Sequence, residues 1–319
     1  MDDLSTINLA KGCLVGAAVG DALGMPAEYI SKNELHLFYN GKIDSYQKAN
    51  NNHPCAHLKP GQYTDDTQQL ILLAESLVVN KSFNLLDFSQ RIGQWAHDCQ
   101  TIAGYDRFSG GTSMSAGLAI FNGSNPRKTG INRATCGSAM RAAPLGIFYY
   151  DNLQKLNFAA ADSSLITHSH PAAIDSAIFL SKTIASLINC VNPEDSVQEA
   201  KSTLTSDLVQ RLNYVFENKD KEPNLVAKEI GASESTYETV PMALHCFLHS
   251  PSDFEQTVVN AANLVPGDTD SIACIAGALS GAYNGLSSIP DKFTVTLEDY
   301  LSLSELGEKL LHLGGTSKK

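Results

Sequence analysis

The feature that most constrains this chain is the recurrence of one-faced apolar stripes at helical spacing. After Asp65-Asp66, the segment QQLILLAESLVV places Leu70, Leu73, Ala74, Leu77 and Val78 at i, i+3, i+4, i+7 and i+8. Similar stripes occupy residues 85–95, 172–188, 197–216, 240–247, 254–264, 272–283 and 301–313, and Gly and Pro punctuate them. Alternating β-branched runs are scarce. The best, FTVTL at 293–297, is short, and neither an internal repeat nor a low-complexity linker interrupts the pattern. The expectation is an all-α fold, a single compact multi-helix domain over residues 1–319 with long functional loops. The polar stretch 41–60, rich in Asn, His and Lys, reads as a loop or lid.

Composition narrows the function classes. Lys and Arg number 23 against 34 Asp and Glu, a net charge of −11, with no basic run. Such a chain lacks the electrostatic footprint for a nucleic-acid duplex. Seven cysteines, an odd number without C-x-x-C spacing, suggest neither a disulfide framework nor a structural zinc site. Scattered thiols fit a reducing compartment, so a cytoplasmic protein is expected. The N-terminus is acidic where a signal peptide needs basic residues, and Asp21 breaks the apolar run at 13–22. No membrane span is expected, and the chain reads as a monomer.

Two acidic clusters carry the chemistry. Tyr63-Thr64-Asp65-Asp66-Thr67 opens one apolar helix, and Gly267-Asp268-Thr269-Asp270-Ser271 opens another. A single Asp there would be a helix cap favoured by the helix dipole. Two acids with flanking hydroxyls, twice, exceed what capping requires. These hard oxygen donors suit Mg²⁺, Mn²⁺ or Ca²⁺ and not zinc. If the loops meet, four carboxylates share one pocket, and one or two divalent cations are needed to offset their repulsion. A third element, Gly16 to Glu28, carries glycines that permit close helix packing. Its Asp21 and Glu28 need partners within an apolar run.

Together these blocks resemble the ADP-ribosylglycohydrolases. The matching residues are Gly20-Asp21-Ala22-Leu23-Gly24 with Glu28, then Thr64-Asp65-Asp66-Thr67, then Gly267-Asp268-Thr269-Asp270-Ser271. Gly137-Ser138-Ala139-Met140-Arg141 is similar to the family's substrate loop, and Thr167-His168 to the block that follows it. The resemblance implies an all-α fold with a dinuclear Mg²⁺ cleft, in which Mn²⁺ could substitute. Thr64, Asp65, Asp66, Asp268, Asp270 and Ser271 would be ligands. Glu28, with Asp66 and Asp268, would serve catalysis. Asp21, Asp106, the loop Gly137, Ser138, Ala139, Met140, Arg141 and His168 would contact ADP-ribose. His168 taken alone fits a satisfied structural histidine equally well. The implied partner is an ADP-ribosylated protein, modified at arginine or serine, or a small ADP-ribose compound.

The chain departs from the family's pattern in three places. Pro266 precedes Gly267 where a second glycine is usual, Cys136 stands where Asn is common, and Ser271 replaces a frequent Thr. Two other readings stay open. One is a phosphohydrolase using Asp268 and Asp270, which would need a β-strand before Asp268. The other is a catalytically silent relative that binds ADP-ribose or serves structurally.

Overall fold

The computed structural model describes residues 3–315. Its first half carries helices α1 (Asp3–Gly24), α2 (Lys32–Tyr39), α3 (Asp65–Asn80), α4 (Leu85–Thr101), α5 (Gly111–Phe121), α6 (Ala143–Phe148) and α7 (Leu153–Leu165). There follow α8 (Pro171–Ile188), α9 (Pro193–Lys201), α10 (Leu208–Glu217), α11 (Pro223–Ile230), α12 (Thr236–His249), α13 (Phe254–Ala262), α14 (Thr269–Asn284), α15 (Asp291–Thr294) and α16 (Tyr300–Gly314). No β-strand occurs among the described residues. Only isolated bridges join Ile131 to His168 and Thr135 to Ser235. The fold is all-α, as the periodicity predicts.

Helix starts follow local chemistry. Ser31 and Glu34 form a reciprocal capping box, and Asn84, Asn152, Asn192 and Asp253 each accept a first-turn N–H. The 293–297 run is not a strand. Phe293 lies in α15, fully buried with its ring 5.8 Å from Tyr46, so burial outweighs β propensity there. Residues 41–60 form neither helix nor strand, as expected of a loop, and Ala49, Cys55 and Leu58 pin the stretch against Met25.

The centre of the molecule is the antiparallel pair α1–α14. Gly12, Gly16, Gly20 and Gly24 recur every fourth residue and face Gly281, Gly277, Ala273 and Thr269 in reverse order. A Cβ on Gly20 would lie 1.8 Å from the Ala273 carbonyl oxygen, and one on Gly277 would lie 2.0 Å from that of Gly16. Only glycine permits backbones to approach this closely. The consequence is positional: the C-terminal end of α1 lies beside the N-terminal end of α14.

Helix α8 is long and apolar enough to span a membrane by length and composition alone, yet 78% of it is buried in the protein. Its buried Asp175, Lys182 and Ser181 mark a core helix. The seven cysteines form no disulfide.

Candidate metal centre and active site

Three loops converge where α1 ends and α14 begins. Asp21, fully buried on α1, accepts hydrogen bonds from Thr64 N (2.8 Å), Thr67 N (3.0 Å) and Thr67 Oγ1 (2.6 Å). It thereby holds the first turn of α3, whose N-cap is Thr64, against α1. That turn presents Asp65 and Asp66. A 3₁₀ turn, Met25–Ala27, follows α1 and delivers Glu28. The Tyr29 N–H donates to the Gly267 carbonyl at 2.9 Å, joining the Glu28 segment to the loop before Asp268, the N-cap of α14.

Ligand atoms of Glu28, Asp268 and Asp270 lie within 4.8 Å of one another, all buried. Asp65, Asp66 and Ser271 line the same cavity. Burial, then the charge of Asp270, raises the Asp65, Asp66 and Glu28 carboxyls well above their usual range. Burial, then Asp268, does the same to Asp270, and Asp268 itself is raised by burial. Asp21 is pushed up to about 7 by burial and then by Asp270. Buried Glu28 Oε2 and Asp66 Oδ2 have no hydrogen-bond partner. Five clustered carboxyls with two orphaned oxygens, none of them in an ion pair among the described residues, fit a hard divalent ion.

The rest of the cavity is of another character. Ser109, Gly110, Gly111, Thr112 and Ser113 form one wall, at the start of α5. Gly110 caps α5 without a side chain, and a Cβ on Gly110 or Gly111 would meet nothing within 4 Å. First-turn N–H groups of this kind, with hydroxyls beside them, suit an anion. Thr135, Cys136, Gly137, Met140 and His168 form the opposite wall, with Arg133 exposed beside it. At the mouth Tyr29 and Phe108, both at positive φ, meet edge to face at 6.4 Å.

Several expected site residues stand elsewhere. Asp21 does not line the cavity, because α3 takes both its oxygens. Asp106 is exposed, and its Oδ1 accepts from Ser109 N (3.0 Å) and Oγ (2.7 Å), so it shapes the loop while Ser109 reaches the cavity. Ser138 and Ala139 are fully buried, with Ser138 Oγ donating to the Ala173 carbonyl at 2.9 Å. Arg141 is fully buried behind the cavity, bonded to Gln69, Ser163 and Thr167. Thr64 is buried as the α3 cap. Of the expected substrate loop, Gly137 and Met140 line the cavity.

Other residues of the site carried no signal by themselves. The Cys136 thiol donates to Asp268 Oδ2 at 3.2 Å and lies 3.6 Å from Ser271 Oγ. Gly110-Gly111 reads in the sequence as punctuation. A Gly-Gly-Thr-Ser run opening an apolar helix was the available hint.

Comparison with known proteins agrees with this geometry. The ADP-ribosylglycohydrolase family model matches residues 2–319. An uncharacterized protein of Archaeoglobus fulgidus is 32% identical over 95% of this chain and 96% of its own. The ADP-ribosylarginine hydrolase Tri1 of Serratia proteamaculans is 29% identical over 97% of this chain and 80% of its own. ADP-ribosylhydrolase ARH3 of Bos taurus is 25% identical over 94% and 91%. A solved structure described as an ADP-ribosylglycohydrolase-related protein complex superposes with a TM-score of 0.77 at 25% identity, covering 98% of this chain and 99% of that one. The chain belongs to the ADP-ribosylglycohydrolase family.

Proposed function

We propose that this protein is a Mg²⁺-dependent ADP-ribosyl hydrolase that cleaves the glycosidic bond between ADP-ribose and a modified side chain, arginine or serine, or a small acceptor. The observation that carries the reading is the division of one cavity into an acidic floor and an anion-recognising wall. Asp65, Asp66, Asp268 and Asp270, with Ser271, would hold two divalent ions, Mg²⁺ or in its place Mn²⁺, while Thr64 would support them as the α3 cap. Such ions would neutralise the carboxylates and supply Lewis-acid binding for the ribose hydroxyls. Gly110–Ser113 offer N–H and O–H donors to the diphosphate. Tyr29 and Phe108 offer flat faces to the base.

Glu28 sits 7% exposed among these acids. Burial, the largest cause of its raised pKa, favours the protonated form. The carboxyl is suited to protonate the leaving group as the anomeric carbon gains oxocarbenium character, and afterwards to take a proton from water. Asp66 and Asp268 are the alternative carboxylates for that transfer. Arginine is the first linkage to test, because the arginine hydrolase relative is the more similar of the two named hydrolases. We further propose that the chain works as one domain and as a cytoplasmic monomer, a setting its free thiols suit.

The test is release of free ADP-ribose from arginine- and serine-modified substrates with Mg²⁺, and after EDTA. Mg²⁺-dependent release from at least one substrate is expected. Full release in metal-free buffer contradicts the metal assignment. Tight ADP-ribose binding without turnover on any linkage identifies a silent binder instead.

A further inference from the structure

Arg141 is the largest charged side chain with no exposure at all, and among the described residues it forms no ion pair. Its guanidinium sits over the Phe88 ring at 5.5 Å. Nη1 donates to Gln69 Oε1 at 2.6 Å. Nη2 donates to Thr167 Oγ1 at 2.6 Å and to the Ser163 carbonyl at 3.1 Å. Burying a cation without a carboxylate beside it is costly, so its retention here calls for a role.

We propose that Arg141 is a positioning residue that orients Asp65 through Gln69 and fixes the ring tautomer of His168 through Thr167. The importance of this for catalysis rests on the hydrolase reading; the hydrogen-bond directions do not. A guanidinium only donates. Gln69 must therefore turn its carbonyl to Arg141, which leaves its NH₂ facing Asp65, where Nε2 donates to Oδ2 at 2.8 Å. The flipped amide would set donor against donor and carbonyl against carboxylate.

The second arm is directed in the same way. Thr167 Oγ1 accepts from Arg141, and among the described contacts His168 Nδ1, 2.7 Å away, is the one acceptor within reach of its own hydrogen, which therefore goes there. Nδ1 is then an acceptor, and the ring hydrogen stands on Nε2, donating to Thr135 Oγ1 at 2.8 Å. Thr135 Oγ1 in turn donates to Thr112 Oγ1 at 3.4 Å. Thr112 thereby keeps its own O–H for an oxygen-rich ligand in the cavity that Thr112, Thr135 and His168 line. The ring is also neutral at ordinary pH, because burial and then Arg141 lower its pKa to about 3. One buried cation thus sets the polarity of both the acidic floor and the opposite wall.

The experiment compares Gln69→Met, Thr167→Val and Arg141→Lys with the full-length protein. Mn²⁺ affinity is measured by calorimetry and the His168 ring nitrogens by ¹⁵N NMR. Gln69→Met is expected to weaken Mn²⁺ binding by about tenfold to a hundredfold and leave the His168 tautomer pure. Thr167→Val is expected to mix the tautomers and leave Mn²⁺ affinity alone, while ADP-ribose binds up to roughly tenfold more weakly. Arg141→Lys, which keeps the charge but loses the fork, is expected to disturb both readouts. Wild-type Mn²⁺ affinity in Gln69→Met, or an unchanged tautomer in Thr167→Val, overturns the proposal. If Arg141→Lys does not fold, these two single-arm variants decide. Both readouts are independent of turnover. A wild type that releases no ADP-ribose while the arms behave as expected sinks the hydrolase reading alone.

Discussion

Glu28 is the residue to which we assign the proton transfer. It stands between the two acidic loops, shielded from water, with one carboxyl oxygen lacking any protein partner. Glu28→Gln preserves volume and removes the proton-transfer group. Turnover is expected to fall roughly 10²–10⁴-fold, with ADP-ribose affinity unchanged within a few-fold. Steady-state kinetics and calorimetry on one preparation check this. Wild-type turnover would pass the role to Asp66 or Asp268. At this scale the acidic pairs are legible in the sequence, because each cluster is local and too rich for a helix cap. Cys136 against Asp268, and Gln69 against both Asp65 and Arg141, are not legible. Contacts between residues separated by more than a hundred positions, or between amides whose orientation depends on a neighbour, leave no local pattern. Arg141 is instructive in another way. Its place in the family block suggests substrate contact, whereas its burial places it behind the wall it organises.

At the scale of elements, the active site is a by-product of how α1 and α14 pack. The glycines of α1 are visible in the sequence as a four-residue stripe permitting close packing. Their partner stripe lies about 250 residues away, and nothing local pairs the two. The structure pairs Gly16 with Gly277 and Gly20 with Ala273, and so sets Glu28 beside Asp268 and Asp270. Gly20→Val forces its side chain into the Ala273 carbonyl, so the helices must separate. Stability is expected to fall by about 3 kcal/mol or more, read from urea unfolding, and divalent-cation affinity should fall with it. A variant as stable as wild type would show that α1 and α14 are not backbone to backbone. The same reasoning accounts for Phe293: FTVTL has strand composition but, among the described residues, no strand to pair with, so its first two residues end the short helix α15 and Phe293 packs on Tyr46.

For the molecule as a whole, the buried acids make stability depend on pH and metal together. Asp21, Asp65, Asp66, Asp268, Asp270 and Glu28 all have folded-state pKa values raised by burial. Such a group binds its proton more tightly when folded. Its stabilising contribution is complete below the unfolded value, near about 4, and is lost as pH rises through the folded one, about 7 for Asp21. Metal-free protein is therefore expected to lose thermal stability between pH 5 and pH 8. A divalent cation, binding only the folded state, restores it. The gap in melting temperature between Mg²⁺ and EDTA should widen over that range by roughly 5 °C or more. A gap that stays constant with pH would mean the carboxyls do not share the bound charge.

The helical architecture and the two acidic loops follow from periodicity and local composition. Their convergence on one cavity depends on packing over the whole chain, and that convergence is the central claim. Its most direct test is to titrate Mn²⁺ into metal-free protein, counting bound ions while measuring ADP-ribose release in the same samples. This is done for wild type, Asp66→Asn and Asp270→Asn. The expected result is that release rises with occupancy in the wild type. Each single substitution, one on α3 and one on α14, should lose binding and release together. If either variant binds Mn²⁺ and releases ADP-ribose as the wild type does, the two loops do not share one metal site.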